Sequence, residues 1–201
     1  RVPWAAGLGG GSSDAASTLL ALNRLWGLHW PRERLLPLAQ RLGADVPFFV
    51  GGRNAFVEGI GEHLTPIDVP RQWLAVVKPA AGLATADVFT HPALVRDTPS
   101  AILAGFLAEA TQPGFWRTSW GRNDLQPPAE NRCPEVAQAA EWLQSRFGNS
   151  RMSGSGSAVF ARNGMDDQPL VTWPQGDSLP AGWVGRMCRS LAQHPLLDWA
   201  G

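Results

Sequence analysis

Cysteine is scarce in this sequence. Cys133 and Cys188 are the only two, and neither stands in a CxxC or Cys/His spacing, which excludes a zinc site or a disulfide framework as the basis of the fold. An excess of one charge is missing too. Lys plus Arg and Asp plus Glu both number 17, so the counterion release on which basic nucleic-acid-binding proteins depend has no source, and no nucleic-acid partner is expected. Long hydrophobic runs are absent. The longest, such as Trp73 to Val77, fall far short of the roughly 20 residues that cross a bilayer, and no charged-then-apolar segment opens the chain. The expectation is a cytoplasmic protein with no membrane partner. Tyrosine is absent while tryptophan occurs ten times. Trp30, Trp73, Trp116 and Trp142 read as core and surface aromatics rather than a base-stacking platform. The four histidines, His29, His63, His91 and His194, have no partner at helical spacing and do not form a ligand set.

What is present is an ordinary globular composition. At 201 residues and 44% hydrophobic content, the chain can form one large domain or two small ones. The run from Gly7 to Asp14 leads straight into Ala15, Leu19, Leu22 and Trp26, spaced as one face of an amphipathic helix. Ser12 or Ser13 can cap that helix, Asp14 complements its dipole, and Gly27 can end it. A second helical pattern spans Pro31 to Leu42, with Pro37 inside it and Gly43 as its stop. Short apolar runs at Phe48 to Val50, Ala55 to Val57 and His63 to Thr65 read as strands, and Pro66 to Arg71 as a linker. Beyond it the pattern predicts a strand at Trp73 to Lys78 and helices near Ala86 to Thr90 and Ser100 to Ala110. A loop follows over Thr111 to Pro128, then a helix opened by Pro134 with Val136, Ala140, Leu143 and Phe147 on one face and Gly148 at its end. Strands are expected at Ala158 to Ala161 and, closing the chain, at Trp183 to Leu191. Helices and strands interleave without a βαβ rhythm, so the fold class is α+β with two lobes.

Two places carry chemistry. In the first glycine loop, small residues allow close backbone approach, and the helix behind directs unpaired N–H groups and partial positive charge outward; phosphate is the natural guest. It is neither a Walker A loop, which needs Gly-Lys-Ser/Thr, nor a dinucleotide fingerprint, which needs a third glycine where Ser12 stands and a strand ahead of it. A turn that merely packs a helix closely is the alternative, at the entropic cost of three consecutive glycines. The second place is Asp45, a carboxylate between an apolar helix end and an apolar run. It is either a turn or cap aspartate or a group that orients a hydroxyl and accepts its proton in phosphoryl transfer.

The run Pro3 to Ala16 resembles the ATP-binding motif of the GHMP kinases. Its extended form, Gly-Leu-Gly-Gly-Gly-Ser-Ser-Asp-Ala-Ala, is similar to that of the diphosphocytidyl-methylerythritol kinases of the non-mevalonate isoprenoid pathway rather than to the shorter loop of most members. Leu42 to Phe48 and Asn123-Asp124-Leu125 match segments of the same family, and Arg151 to Phe160 is similar to its third motif. The resemblance implies a two-lobed GHMP kinase fold, with the remainder of a ribosomal-protein-S5-like ATP-binding lobe over residues 1–68 and a ferredoxin-like lobe over residues 69–201. It implies ATP and Mg²⁺ as cofactors and a small-molecule acceptor, a cytidine diphosphate-linked methylerythritol phosphorylated on its 2-hydroxyl. Pro3, Trp4, Ala5, Ala6, Gly7, Leu8, Gly9, Gly10, Gly11, Ser12 and Ser13 would wrap the ATP phosphates, and Ser12 or Ser13 would face Mg²⁺. Asp45 would be catalytic. Thr85 and Phe89 would lie near the acceptor, with Phe89 stacking on cytosine, and Ser153, Gly154, Ser155 and Gly156 would line the same cleft.

The sequence also departs from the family. It opens on Arg1 with no strand ahead of the glycine loop, which predicts a chain lacking its N-terminal part. A family lysine paired with the aspartate lies in that part, so the isolated chain is expected to show little turnover and to leave edge strands unpaired. Alternatives are another GHMP enzyme of mevalonate or homoserine type, against which the triple glycine argues, and an inactive nucleotide-binding fragment.

Overall fold

The structure, a computed structural model, describes residues 2–110, 112, 115, 121–165, 167–173 and 179–200. Trp116 and parts of the expected loop over Thr111 to Pro128 lie outside them. The chain forms two compact units that are discontinuous in sequence: Gly9–Pro70 with Leu191–Gly201, and Arg1–Leu8 with Arg71–Ser190.

The first of these is built on three helices, α1 (Gly10–Leu25), α2 (Arg32–Leu42) and α3 (Val46–Gly51), and a hairpin of β1 (Ala55–Glu58) and β2 (His63–Pro66). Its core is Ala16, Leu20, Leu35, Ala39, Val46 and Val50, closed by Ala200 from the returning C-terminal segment. Arg32 fastens that segment by donating to the carbonyls of Leu197 and Ala200 while its Nε reaches Val50 O at 3.1 Å.

The expected face of α1 is turned by one residue. Ala16, Leu20 and Asn23 are its buried positions, and Trp26 is 66% exposed. A polar residue holds a buried place because Asn23 is bonded on both sides of its carboxamide. Its Nδ2 donates to Trp30 O at 3.1 Å and its Oδ1 accepts from Trp30 N at 2.9 Å. Gly27, at φ 63°, ends the helix as expected.

The run Phe48 to Val50, expected as a strand, is instead part of α3. Pro47 sits in its first turn, where no N–H is needed, Gly52 at φ 73° ends it, and Val46 and Val50 bury one face at helical spacing. The helix pattern at α2 runs through Pro37 to the stop at Gly43, and the two following strands pair as an antiparallel hairpin.

The other unit carries a four-stranded antiparallel sheet in the order β4-β5-β3-β6, where β3 is Trp73–Lys78, β4 Arg151–Met152, β5 Val159–Arg162 and β6 Val184–Arg189. Among the described residues its α-helices are α4 (Thr85–Phe89), α5 (Leu103–Ala110), α6 (Gln126–Arg132) and α7 (Pro134–Phe147). Alternation along the strands sends Ala75, Val77, Val159 and Ala161 into a core shared with Val136, Ala139, Ala140 and Leu143 of α7. The start of α6 lies inside the segment read as loop. Its two prolines, Pro127 and Pro128, occupy the first turn, the one part of a helix that tolerates them.

Candidate functional site

The two small-residue loops are built differently. The first straddles the boundary between the units, so its halves are taken separately. Gly9, at φ 64°, is the N-cap of the 16-residue α1, and no side chain caps that end. Ser13 N donates to Gly9 O at 2.8 Å, leaving the N–H groups of Gly10, Gly11 and Ser12 without intrahelical partners. Ser12 and Ser13 therefore stand within the first turn, half-buried, rather than at the cap. Asp14 lies past the first turn and is exposed. A Cβ on Gly9 would touch the Phe49 ring at 3.0 Å, whereas one on Gly11 would meet nothing within 4 Å. The helix start is thus packed on one side by α3 and open at Gly11.

The other half, Pro3 to Leu8, lies along the loop between β4 and β5. Ala5 O and Ala6 O accept from the backbone N–H groups of Ser157 at 3.4 Å and Ala158 at 3.0 Å. Gly7 O accepts from Ser153 Oγ at 2.8 Å. Gly7 has φ +67°, and a Cβ there would lie 2.2 Å from Ser153 O; only glycine fits. Trp4 is 90% exposed.

Every serine of the second loop is engaged. Ser153 holds Gly7, Ser155 Oγ shares a hydrogen bond of 2.9 Å with Thr85 Oγ1, and Ser157 Oγ donates to Ala81 O at 2.7 Å. Thr85 thereby stands beside the third-motif loop at the start of α4, and Phe89, 52% exposed, stands at its end. Ala81 is pinned further by Lys78 Nζ at 2.9 Å and Glu135 Oε2 at 3.3 Å. Asn123 Nδ2 donates to Met152 O at 2.9 Å and Gly154 O at 2.8 Å, and Gln126 Oε1 accepts from Met152 N at 2.9 Å. The sequence marks Asn123-Asp124-Leu125 only as a matching segment; its grip on the loop and the roles of Lys78, Glu135 and Gln126 emerge from the structure. Burial holds the Arg151 guanidinium below the usual arginine range. Asn123 and Arg151 also line an open surface pocket of about 270 Å³, in which none of the residues expected to bind ATP or acceptor takes part.

Asp45 occupies the N-cap position of α3 and is exposed, with no side-chain cap hydrogen bond. Its carboxylate is not spent on a turn, and Val46 beside it anchors the core. Among the described residues no group of three or more His, Cys, Asp or Glu could hold a metal ion, and no helix is long and apolar enough to cross a membrane.

Comparison with known proteins places the chain in one family. Residues 1–53 match the GHMP kinases N terminal domain and residues 114–162 the GHMP kinases C terminal domain. The chain is similar to the 4-diphosphocytidyl-2-C-methyl-D-erythritol kinase of Methylibium petroleiphilum, 61% identical over 100% of this chain and 67% of the relative. The enzyme of that name from Polaromonas naphthalenivorans is 50% identical over 99% of the chain and 64% of the relative. A crystal structure of 4-(cytidine 5'-diphospho)-2C-methyl-D-erythritol kinase matches with a TM-score of 0.64 and 36% identity over 81% of this chain and 59% of that one. The chain thus spans about two thirds of the length of these curated relatives. On this evidence it belongs to the 4-diphosphocytidyl-2-C-methyl-D-erythritol kinase family of the GHMP kinases.

Proposed function

We propose that this chain carries the phosphate-holding and catalytic residues of a cytoplasmic kinase that transfers the γ-phosphoryl of ATP to the 2-hydroxyl of 4-diphosphocytidyl-2-C-methyl-D-erythritol. The observation that carries the reading is the start of α1. A 16-residue helix opens on a glycine N-cap, with three N–H groups unpaired within the helix and no side chain capping it, which suits it to phosphate oxygens. In this reading the backbone from Pro3 to Ser13 wraps the phosphates. The pinned carbonyls of Ala5, Ala6 and Gly7 keep the Pro3 to Leu8 half in place before ATP arrives, which limits the reorganisation needed in the reaction.

Ser12 and Ser13 suit a Mg²⁺ site in which phosphate oxygens supply most of the ligands, because both are half-buried in the first turn and neither caps the helix. Bound there, Mg²⁺ would neutralise charge on the β- and γ-phosphates. Asp45 orients the acceptor hydroxyl and takes its proton as the phosphoryl group transfers. Phe89 offers its exposed ring to the cytosine face, and Thr85 its hydroxyl to the acceptor.

The test is ATP consumption with 4-diphosphocytidyl-2-C-methyl-D-erythritol, mevalonate and homoserine as acceptors. It is run on the chain, on the chain completed with the additional segment of the Methylibium relative, and on the Asp45→Asn variant of each. In the completed chain, turnover with the cytidine acceptor and neither of the others is expected, lowered about 10²- to 10⁴-fold by Asp45→Asn, with little turnover by the chain on its own. Turnover with mevalonate or homoserine would favour another GHMP kinase, and none with any acceptor an inactive nucleotide binder.

A further inference from the structure

The third-motif loop touches the glycine loop directly, yet its own position is set from outside. Ser153 sits between two carbonyls, Met152 O and Gly154 O, and one carboxamide grips both. Asn123 Nδ2 donates to them at 2.9 and 2.8 Å while its Oδ1 accepts from Leu125 N at 3.0 Å. Both donors and the acceptor oxygen are in use. Aspartate would bring no donors, and glutamine would overreach by a methylene. From Ser153 the connection to Gly7 is by contact on two sides. The Ser153 hydroxyl donates to Gly7 O; a Cβ on Gly7 would lie 2.2 Å from Ser153 O, and one on Gly154 3.1 Å from Gly7 O. Two backbones this close cannot move independently.

We infer that Asn123 is a positioning residue. By fixing Met152 and Gly154 it sets Ser153, and through Ser153 it sets Gly7 and the Pro3 to Leu8 half of the glycine loop. The assignment rests on the kinase reading for its consequence in catalysis, and on geometry alone for the coupling. Its neighbours serve as controls, since Arg122 and Asp124 pair with each other at 2.6 Å and neither is hydrogen-bonded to the third-motif loop.

The experiment compares wild type, Asn123→Asp and Asp124→Ala in the 201-residue chain by amide hydrogen exchange, thermal unfolding, and titration with ATP and with AMP in the presence of Mg²⁺. Asn123→Asp keeps the side chain's shape and the Leu125 bond but faces two carbonyls with a carboxylate. Exchange is expected to rise about tenfold both at Ser153–Ser157 and at Ala5–Leu8, and the ratio of ATP to AMP affinity to fall about tenfold. The melting temperature should stay within a few degrees, and Asp124→Ala should change neither exchange nor affinity. Faster exchange at Ser153–Ser157 with none at Ala5–Leu8 would overturn the coupling. A rise spread evenly over β3 and α7 would overturn it as well, because the residue would then act on stability alone. Wild type binding ATP and AMP equally would contradict the kinase reading, while the exchange pattern would still decide the coupling.

Discussion

Two loops of nearly the same composition, Gly7 to Ser13 and Ser153 to Ser157, do opposite things with their serines and glycines. In the second loop all three serine hydroxyls are bonded to protein, and a Cβ at Gly156 would lie 2.7 Å from the Met152 sulfur. In the first, a Cβ at Gly11, in the opening turn of the helix, would meet nothing within 4 Å, and the helix start has no side-chain cap. One loop spends its hydrogen-bonding capacity on scaffold and the other keeps it for a ligand. Small residues in a motif therefore do not mark a ligand site by themselves; the partners already taken by the protein decide which loop is which.

The sharpest way to break this contrast is to load a side chain onto the joint between the loops. Gly7→Ala combines a left-handed φ, costing about 1–2 kcal/mol, with a collision against the Ser153 carbonyl. We expect a loss of roughly 3 kcal/mol or more, seen as a lower denaturant midpoint for the unit containing the four-stranded sheet. Serine substitutions should separate next. Ser157→Ala removes a bond from a fully buried hydroxyl and should cost about 1–1.5 kcal/mol. Ser13→Ala should stay within about 0.5 kcal/mol while lowering kinase turnover. At Gly11 the sign reverses, because alanine meets open space in the first helical turn. Gly11→Ala should stabilise by about 0.4–1 kcal/mol yet weaken ATP binding, read by thermal unfolding and by titration. Equal stability losses at Ser13 and Ser157 would erase the distinction between the loops.

Much of this was legible in the residues, for physical reasons. The long periodic helices α1 and α7 announced themselves, with Gly27 and Gly148 as their ends, and so did the short strands at Ala55 to Val57 and His63 to Thr65 and the strand Trp73–Lys78; the pairing of the first two did not. The run Phe48 to Val50 was misread because three apolar residues fit a buried strand or a helix face equally well; Pro47 in the first turn and Gly52 behind decide it. The helix at Gln126–Arg132 was hidden by prolines that look like loop until they are seen at a helix start. The rotation of the α1 face came from Asn23, whose burial depends on Trp30, a tertiary contact no periodicity reveals. At the candidate site, the glycine loop and the carboxylate of Asp45 could be found by residue type. Asn123 could be noticed but not interpreted, because its function lies in two carbonyls about thirty residues away.

The most direct test of the central claim, that the opening of α1 holds the ATP phosphates, is a backbone amide shift titration of the chain with a non-hydrolysable ATP analogue and Mg²⁺. The account predicts that the amides of Gly10, Gly11 and Ser12 move most, as hydrogen bonds form to phosphate oxygens. Large shifts confined to other surfaces, with these three amides unmoved at saturation, would contradict it.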